Sequence, residues 1–318
     1  MPVQFIRDLY AAAGAEGRPL ISFEFFTPKT AEGERALFGR TLPALAALRP
    51  GYCSVTYGAG GSTRDKTLDM VERIQREHGI AAMAHLTCVG STRDEIVALL
   101  EDARRRGIAN LLALRGDPPA GTTLFQKVAG GFQYAHELVT LTRQVGGFCV
   151  GVAGFPEGHL ECQEGRYVDW ERLKAKVDCG ADFILTQLFF DNRFFYEFRD
   201  HLANRLGVRV PIVPGVIPIQ SASQIRKFVA LCGATIPPAL SARLDALAED
   251  DAAAAAFGIE FATAQCADLL RHGAPGLHFY SLNKAPAVTQ IIEDLGFGAG
   301  GEFSLGSVGG APVVCRHV

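Results

Sequence analysis

Eight short apolar or alternating runs recur along the chain, each followed by a stretch whose apolar residues return at helical spacing. The runs are ISFEFF (21–26), YCSVTYG (52–58), AAMAHLTC (81–88), NLLALRG (110–116), FCVGVAGF (148–155), FILTQLFF (183–190), PIVPGVIP (211–218) and GLHFYSL (276–282). Runs of β-branched, aromatic and aliphatic residues bounded by Gly, Pro and Asp mark strands. The intervening segments carry helix punctuation. Thr92-x-x-Glu95 has the form of a capping box, apolar residues follow at 96, 99, 100 and 103, and Gly107 ends the helix. Ser221-x-x-Gln224 opens a similar helix with Ile225, Phe228, Val229 and Cys232 on one side. After Asn192, residues Phe195, Phe198, Leu202 and Leu206 form another stripe, and about 35 residues after Cys232 read as extra helix before the last strand.

Strand and helix alternating eight times predict an α/β fold, a (β/α)8 TIM barrel with an extra helix before its last strand. Parallel strands need crossover helices, and a ring of eight leaves no edge exposed. A doubly wound open sheet would carry a glycine fingerprint after its first strand, and ISFEFFTPK has none. The expected organisation is one barrel domain over 1–318, with a core at about 20–295 and a glycine-rich tail at 296–318. With 48% hydrophobic and 20% charged residues the chain can build a large core. A net charge of −3 argues against nucleic acid or an anionic membrane held by bulk electrostatics, and the Arg104–Arg106 run reads as a solvated helix face. Eight cysteines are scattered without a CxxC, which fits reduced thiols and no metal site. MPVQFIRDLY lacks the apolar core of a signal peptide, and the alanine-rich stretch 252–270 is interrupted by Glu260 and Asp268. A soluble cytoplasmic protein is expected.

In a barrel the C-terminal ends of the strands surround the active site. Those ends supply Glu24, Thr56 with Tyr57, His85, Arg115 with Asp117, Phe155 with His159, Gln187, and Asn283 with Lys284. Period-two alternation in SFEFF puts Ser22, Glu24 and Phe26 on one face and Phe23 and Phe25 on the other. A carboxylate among phenylalanines is poorly hydrated, so its pKa is expected to rise, which suits a general acid. An ion pair inside the barrel is the alternative. Asp117 is either a ligand contact or the start of an Asp-Pro turn partnered by Arg115. His85 is either a core imidazole or a site residue. Gln187 brings hydrogen-bonding positions that the edge of a heteroaromatic ligand would fill. No core strand ends on lysine, which disfavours a Schiff-base aldolase. GAGGST (58–63) is either a phosphate cradle or a turn into a helix capped by Ser62 or Thr63.

FEFFTPK, SVTYGAGGSTRDKT, AHLTC, LRGDPP, TQLFFD and HFYSLNKA, in that order, resemble the successive signatures of the bacterial methylenetetrahydrofolate reductase family. The resemblance implies a flavin-dependent barrel with ping-pong kinetics. NADH or NADPH would reduce bound FAD and leave, and 5,10-methylenetetrahydrofolate would then be reduced to 5-methyltetrahydrofolate, feeding methionine synthesis. It implies catalytic roles for Glu24, which would protonate N10 of the folate, and for Asp117, beside both flavin and pterin. Implied cofactor contacts are Thr56, Tyr57, Ala59, His85, Arg115, Gly116 and Asp117. After the fourth strand they continue with Tyr134, Ala135, Phe155, His159, Asp169, Arg172 and Lys176, the last either a partner for the FAD pyrophosphate or a surface lysine on a helix. Gln187, Gln224, Phe228, Lys284 and Asp117 fall at substrate-binding positions, Gln224 equally at a capping position and Phe228 equally in a helix core. Thr27-Pro28-Lys29 stands where Pro-Pro-Arg is frequent, Phe155 replaces a tyrosine, and Lys284 replaces an arginine and so lacks its bidentate fork. A homo-oligomer without a C-terminal regulatory domain is expected by resemblance. Rival readings are another flavin barrel, which should not need Glu24, and a non-catalytic folate- or flavin-binding barrel, which should not need the Glu24–Asp117 pair.

Overall fold

The computed structural model describes residues 3–57, 64–117 and 125–297. All eight apolar runs contain strands: β1 (Leu20–Phe25), β2 (Tyr52–Val55), β3 (Ala81–Thr87), β4 (Asn110–Leu114), β5 (Cys149–Gly154), β6 (Phe183–Thr186), the pair β7 (Ile212–Val213) and β8 (Gly215–Val216), and β9 (Gly276–Tyr280). Every pairing is parallel, in the order β7-β6-β5-β4-β3-β2-β1-β9-β8. Pro214 divides the seventh strand: its first half pairs with β6 and its second with β9, so the ring closes through this one segment. Closure is tight. A Cβ on Gly215 would lie 2.4 Å from the Thr186 carbonyl oxygen and 2.5 Å from the Tyr280 hydroxyl, which itself donates to that oxygen at 2.6 Å.

The helices are α1 (Ile6–Ala15), α2 (Ala31–Ala36), α3 (Leu42–Ala46), α4 (Arg64–His78), α5 (Arg93–Arg105), α6 (Ala135–Val145), α7 (Arg166–Asp178), α8 (Asn192–Asn204), α9 (Ala222–Cys232), α10 (Pro238–Ala246), α11 (Asp251–Arg271) and α12 (Pro286–Asp294), with a π turn at Leu37–Thr41. The Thr92–Glu95 capping box opens α5 as expected. Ser221 caps α9, accepting from the Gln224 amide, but the glutamine side chain does not return the bond. The extra helix expected before the last strand is two helices. The long α11 packs against α8 and α12 in the outer ring, whereas α9 and α10 form a separate apolar cluster with Leu188, Phe190, Ile217 and Ile219. Arg104 and Arg105 are exposed, and Arg106, partly exposed just past the end of α5, pairs with Asp69 on α4 and with Asp102. Of the expected tail, Phe297 packs against the core, and 298–318 lies outside the described residues. Among the described residues, no helix is long and apolar enough to cross a membrane.

Strand alternation sorts the interior. Phe23, Phe25, Cys53, Val55, Leu111, Leu277 and Phe279 point outward into the main core under the helices. Ser22, Glu24, Tyr52, Ser54, His85 and His278, at the alternate positions, are buried within the ring. The floor is closed by α1, which lies before the expected start of the core. Ile6 and Tyr10 join Tyr52, Met83, Leu112 and Phe183 there, and Asn110 accepts from the Ile6 amide at 2.8 Å while donating to Gln4 at 2.9 Å. Replacing Asn110 with alanine leaves the buried Ile6 amide unpaired and releases Gln4, which costs about 1–3 kcal/mol. Urea titration should show that loss, and hydrogen exchange should show α1 amides opening before the barrel; unchanged exchange in α1 would contradict the role given to Asn110.

Candidate active site

Glu24 sits on β1 one residue before its end, 6% exposed, with three polar neighbours on its carboxylate. Nε2 of His278 lies 3.3 Å from Oε2, Nε2 of His85 lies 3.3 Å from the same oxygen but off the line of a hydrogen bond, and Ser54 donates at 3.5 Å. The expectation of an acid pushed up by phenylalanine neighbours is corrected here. Phe23 and Phe25 face away, into the outer core. Burial does push the Glu24 pKa upward, but the charge of His85 close by and the hydrogen bond and charge of His278 outweigh it and hold it at about 2. Glu24 therefore rests as a carboxylate among imidazoles. Ser22 completes the group, 2.8 Å from Nδ1 of His278.

The loops after the next strands form the rim. Thr56 offers its carbonyl to the Thr27 and Thr67 hydroxyls, and Tyr57 packs half-buried beside the core. Ala59 and the whole of GAGGST lie outside the described residues. Arg115 does not pair locally with Asp117. Its guanidinium makes a two-point bond to Glu161 at 2.5 and 2.7 Å, and Glu161 raises the arginine pKa. Gly116 holds φ +90°, and a Cβ there would meet Val89 at 2.7 Å, so only glycine fits this turn. Asp117 is exposed, and Pro118 and Pro119 lie outside the described residues. Tyr134 caps α6, exposed and stacked on His136, and Ala135 is buried behind it.

Beyond β5, Phe155 meets His159 edge-on at 4.6 Å, and the His159 amide donates to Asp169. Burial raises the Asp169 pKa and lowers that of His159. Lys176 is not a surface lysine. It donates to the Ala153 carbonyl at 2.9 Å, and burial pulls its pKa down to about 8 against the attraction of Asp169. Arg172 is exposed and paired with Glu164. Gln187 is half-buried; its amide oxygen accepts from the Leu188 N–H, while its amide nitrogen has no partner among the described residues. Phe228 packs in the α9–α10 cluster beside Tyr280 and Leu282, and Gln224 is half-buried on the same helix. Lys284 is exposed and donates to Gln220 at 2.7 Å.

Leu282 and Asn283 both occupy the left-handed region, at φ 53° and 56°. Two such non-glycine residues in succession are strained, and the strain is held by specific bonds. Asn283 exchanges two 2.9 Å bonds with the Phe26 backbone, and Ser281 donates to the Glu24 carbonyl at 2.6 Å. The turn after β9 thus fastens the end of β1, and with it the acid.

The sequence reading did not single out His278, Ser22, Ser54 or Glu161. The first three were accessible by continuing the alternation argument around the ring; Glu161 was not, because its pairing depends on how two loops meet. Four buried side-chain polar atoms make no hydrogen bond among the described residues; His85 Nε2 is one of them but faces Glu24 at 3.3 Å, and Thr87 Oγ1 is another, on the same inward face of β3. Together with the Gln187 amide nitrogen and the close backbone at Gly116, Thr87 Oγ1 suits a planar polar ligand such as a flavin or a pterin.

A family model described as "Methylenetetrahydrofolate reductase" matches residues 9–296. "Methylenetetrahydrofolate reductase (NADH) 1" of Arabidopsis thaliana is 41% identical over 299 residues, which cover 91% of this chain and 50% of the relative. "5,10-methylenetetrahydrofolate reductase" of Escherichia coli K12 is 36% identical over 284 residues, 89% of this chain and 93% of the relative. The chain thus spans about half the length of the plant relatives it matches and nearly all of the bacterial one. Among solved structures, a Clostridium thermocellum protein described as binding two copies of 5-methyl-5,6,7,8-tetrahydrofolic acid shares the fold, with TM-score 0.59, 15% identity and coverage of 90% of this chain and 96% of that one. From the matched span and these identities, the chain belongs to the methylenetetrahydrofolate reductase family.

Proposed function

We propose that the chain reduces 5,10-methylenetetrahydrofolate to 5-methyltetrahydrofolate with NADH or NADPH and bound FAD, in a ping-pong cycle that feeds methionine synthesis. The observation that carries this reading is the buried Glu24 carboxylate flanked by His85 and His278 at the mouth of a barrel of this family. FAD, when bound, supplies the hydride chemistry that side chains lack. Thr56, Tyr57, His85, Arg115, Gly116 and Asp117 would hold it on one side of the mouth, and Tyr134, Ala135, Phe155, His159, Asp169, Arg172 and Lys176 on the other, with Ala59 outside the described residues. Arg115 and Arg172 would exchange Glu161 and Glu164 for the ligand. A cytoplasmic homo-oligomer is part of the proposal, by family resemblance.

Glu24 resting as a carboxylate changes how the acid works. The glutamate and its two imidazoles act as one cluster: a doubly protonated ring gives one proton to the carboxylate, is left as a neutral imidazole, and the carboxylate passes the proton to N10 of the folate. Opening of the five-membered ring leaves a cationic iminium, which the exposed carboxylate of Asp117 would stabilise. The free amide nitrogen of Gln187 suits a pterin acceptor, while Phe228 offers a ring, Gln224 an amide and Lys284 a point charge to the rest of the substrate.

Three outcomes follow. Purified protein loaded with FAD should bleach with NADH or NADPH in the absence of oxygen and regain colour on adding methylenetetrahydrofolate; failure to take up FAD would end the flavin reading. In Glu24→Gln, flavin reduction should persist while the folate half-reaction falls by about 10²–10⁴-fold in stopped flow. Equal losses in both halves would make Glu24 structural. FAD affinity should be level below pH 8 and weaken above it as Lys176 loses its proton, whereas Lys176→Met should bind about tenfold or more weakly below pH 8 and show no such fall above it. A parental pH dependence in Lys176→Met, measured by fluorescence titration, would refute that assignment.

A further inference from the structure

The loop after β5 carries more than the Phe155–His159 ring pair. Its backbone is fastened to α7: Trp170 Nε1 donates to the Phe155 carbonyl at 2.9 Å, and the His159 amide donates to Asp169. Two other side chains of the loop reach instead to the α9–α10 pair. Both carboxylate oxygens of Glu157 lie 3.1 Å from the Thr235 amide, which donates to them together. Leu160 lies over Gly233, so close that a Cβ there would meet its side chain at 2.3 Å.

These two contacts meet one end of one helix. Gly233, at φ +75°, is the left-handed residue that ends α9, and its N–H closes the last turn onto Val229 at 2.8 Å. Thr235 follows in the linker to α10, and Arg226 ties the two helices together through Asp245. Elsewhere the pair rests on apolar contacts, with each other and with strand ends around Leu188 and Ile217. Such contacts are non-directional, so they set how deeply α9 sits but not where it stops along its axis. A hydrogen bond to a fastened loop does set that. Glu157 is held there against its own solvation: it is half-buried, burial raises its pKa, and Asp191 adds like charge. Arg166, the cation that lowers it, is itself paired with Glu197 at 2.7 Å.

We propose that Glu157 is a positioning residue for the substrate: with Leu160 it pins the end of α9 to the loop after β5, and so fixes Phe228 and Gln224 relative to Phe155 and His159. The folate-facing side of the mouth is thereby registered to the flavin-facing side. This deepens, and rests on, the roles given to those four residues above.

Hydrogen exchange in the protein without substrates gives the first readout. In Glu157→Ala the amides of 229–235 should exchange about tenfold faster than in the parent, while those of β5 and α7 keep their parental rates. With FAD bound, the same variant should need about tenfold more methylenetetrahydrofolate for half its limiting rate of flavin reoxidation. That limiting rate and the FAD affinity should stay at parental values. Glu157→Gln, which keeps an oxygen for the amide, should recover most of the folate affinity, and Leu160→Ala should lose about threefold. Parental exchange, or a parental folate dependence, in Glu157→Ala would overturn the proposal. So would a fall in FAD affinity in step with folate affinity, which would make Glu157 a support of its own loop. A parent whose flavin the folate never reoxidises would overturn the functional reading and the positioning role with it, while the exchange rates would still decide whether Glu157 holds α9.

Discussion

A carboxylate placed inside a ring of parallel strands is the constraint around which this molecule is arranged. An ionised group there loses most of its hydration, and the loss is tolerable only if hydrogen-bonding partners replace it. His278 and Ser54 supply that replacement from β9 and β2, and the His85 ring adds a close polar neighbour from β3. The strands must therefore keep one register around the ring, because a slip of one residue would send every inward side chain outward. The strained turn at Leu282–Asn283 serves the same end, tying the last strand to the first beside the acid.

Charge also organises the rim. Arg115 bridges to Glu161, Asp169 lies near Lys176, and Arg172 holds Glu164. Each pairing neutralises a group that would face a polyanionic ligand. Such a site is preset but not rigid, since exposed pairs are weak and exchange partners at little cost. Lys176 differs, because its depressed pKa marks a cation that burial has made less stable and that an anion would restore.

Most of this was legible in the sequence where a repeating period did the work. Eight runs of strand composition became the barrel, and the Thr92–Glu95 box became a capped helix. Period two alone put Glu24 inside. What the local sequence could not give was the company it keeps: Phe23 and Phe25 are adjacent in the chain but face the other way, while His278 is 254 residues distant and in contact. The pKa expectation failed for that reason. Arg115 failed similarly, since Asp117 is near in sequence and Glu161 is near in space. Helix α1 was passed over because its role is to plug the ring, not to alternate with strands.

The seventh strand is the seam of the barrel, only two residues long on each side of Pro214. Helices α9 and α10 hang from that seam and bury their apolar residues largely against each other and the adjoining strand ends. This quarter of the rim is thus a cassette: its composition can change, and the fit to a ligand's far end with it, while the Glu24 cluster on β1, β3 and β9 stays as it is.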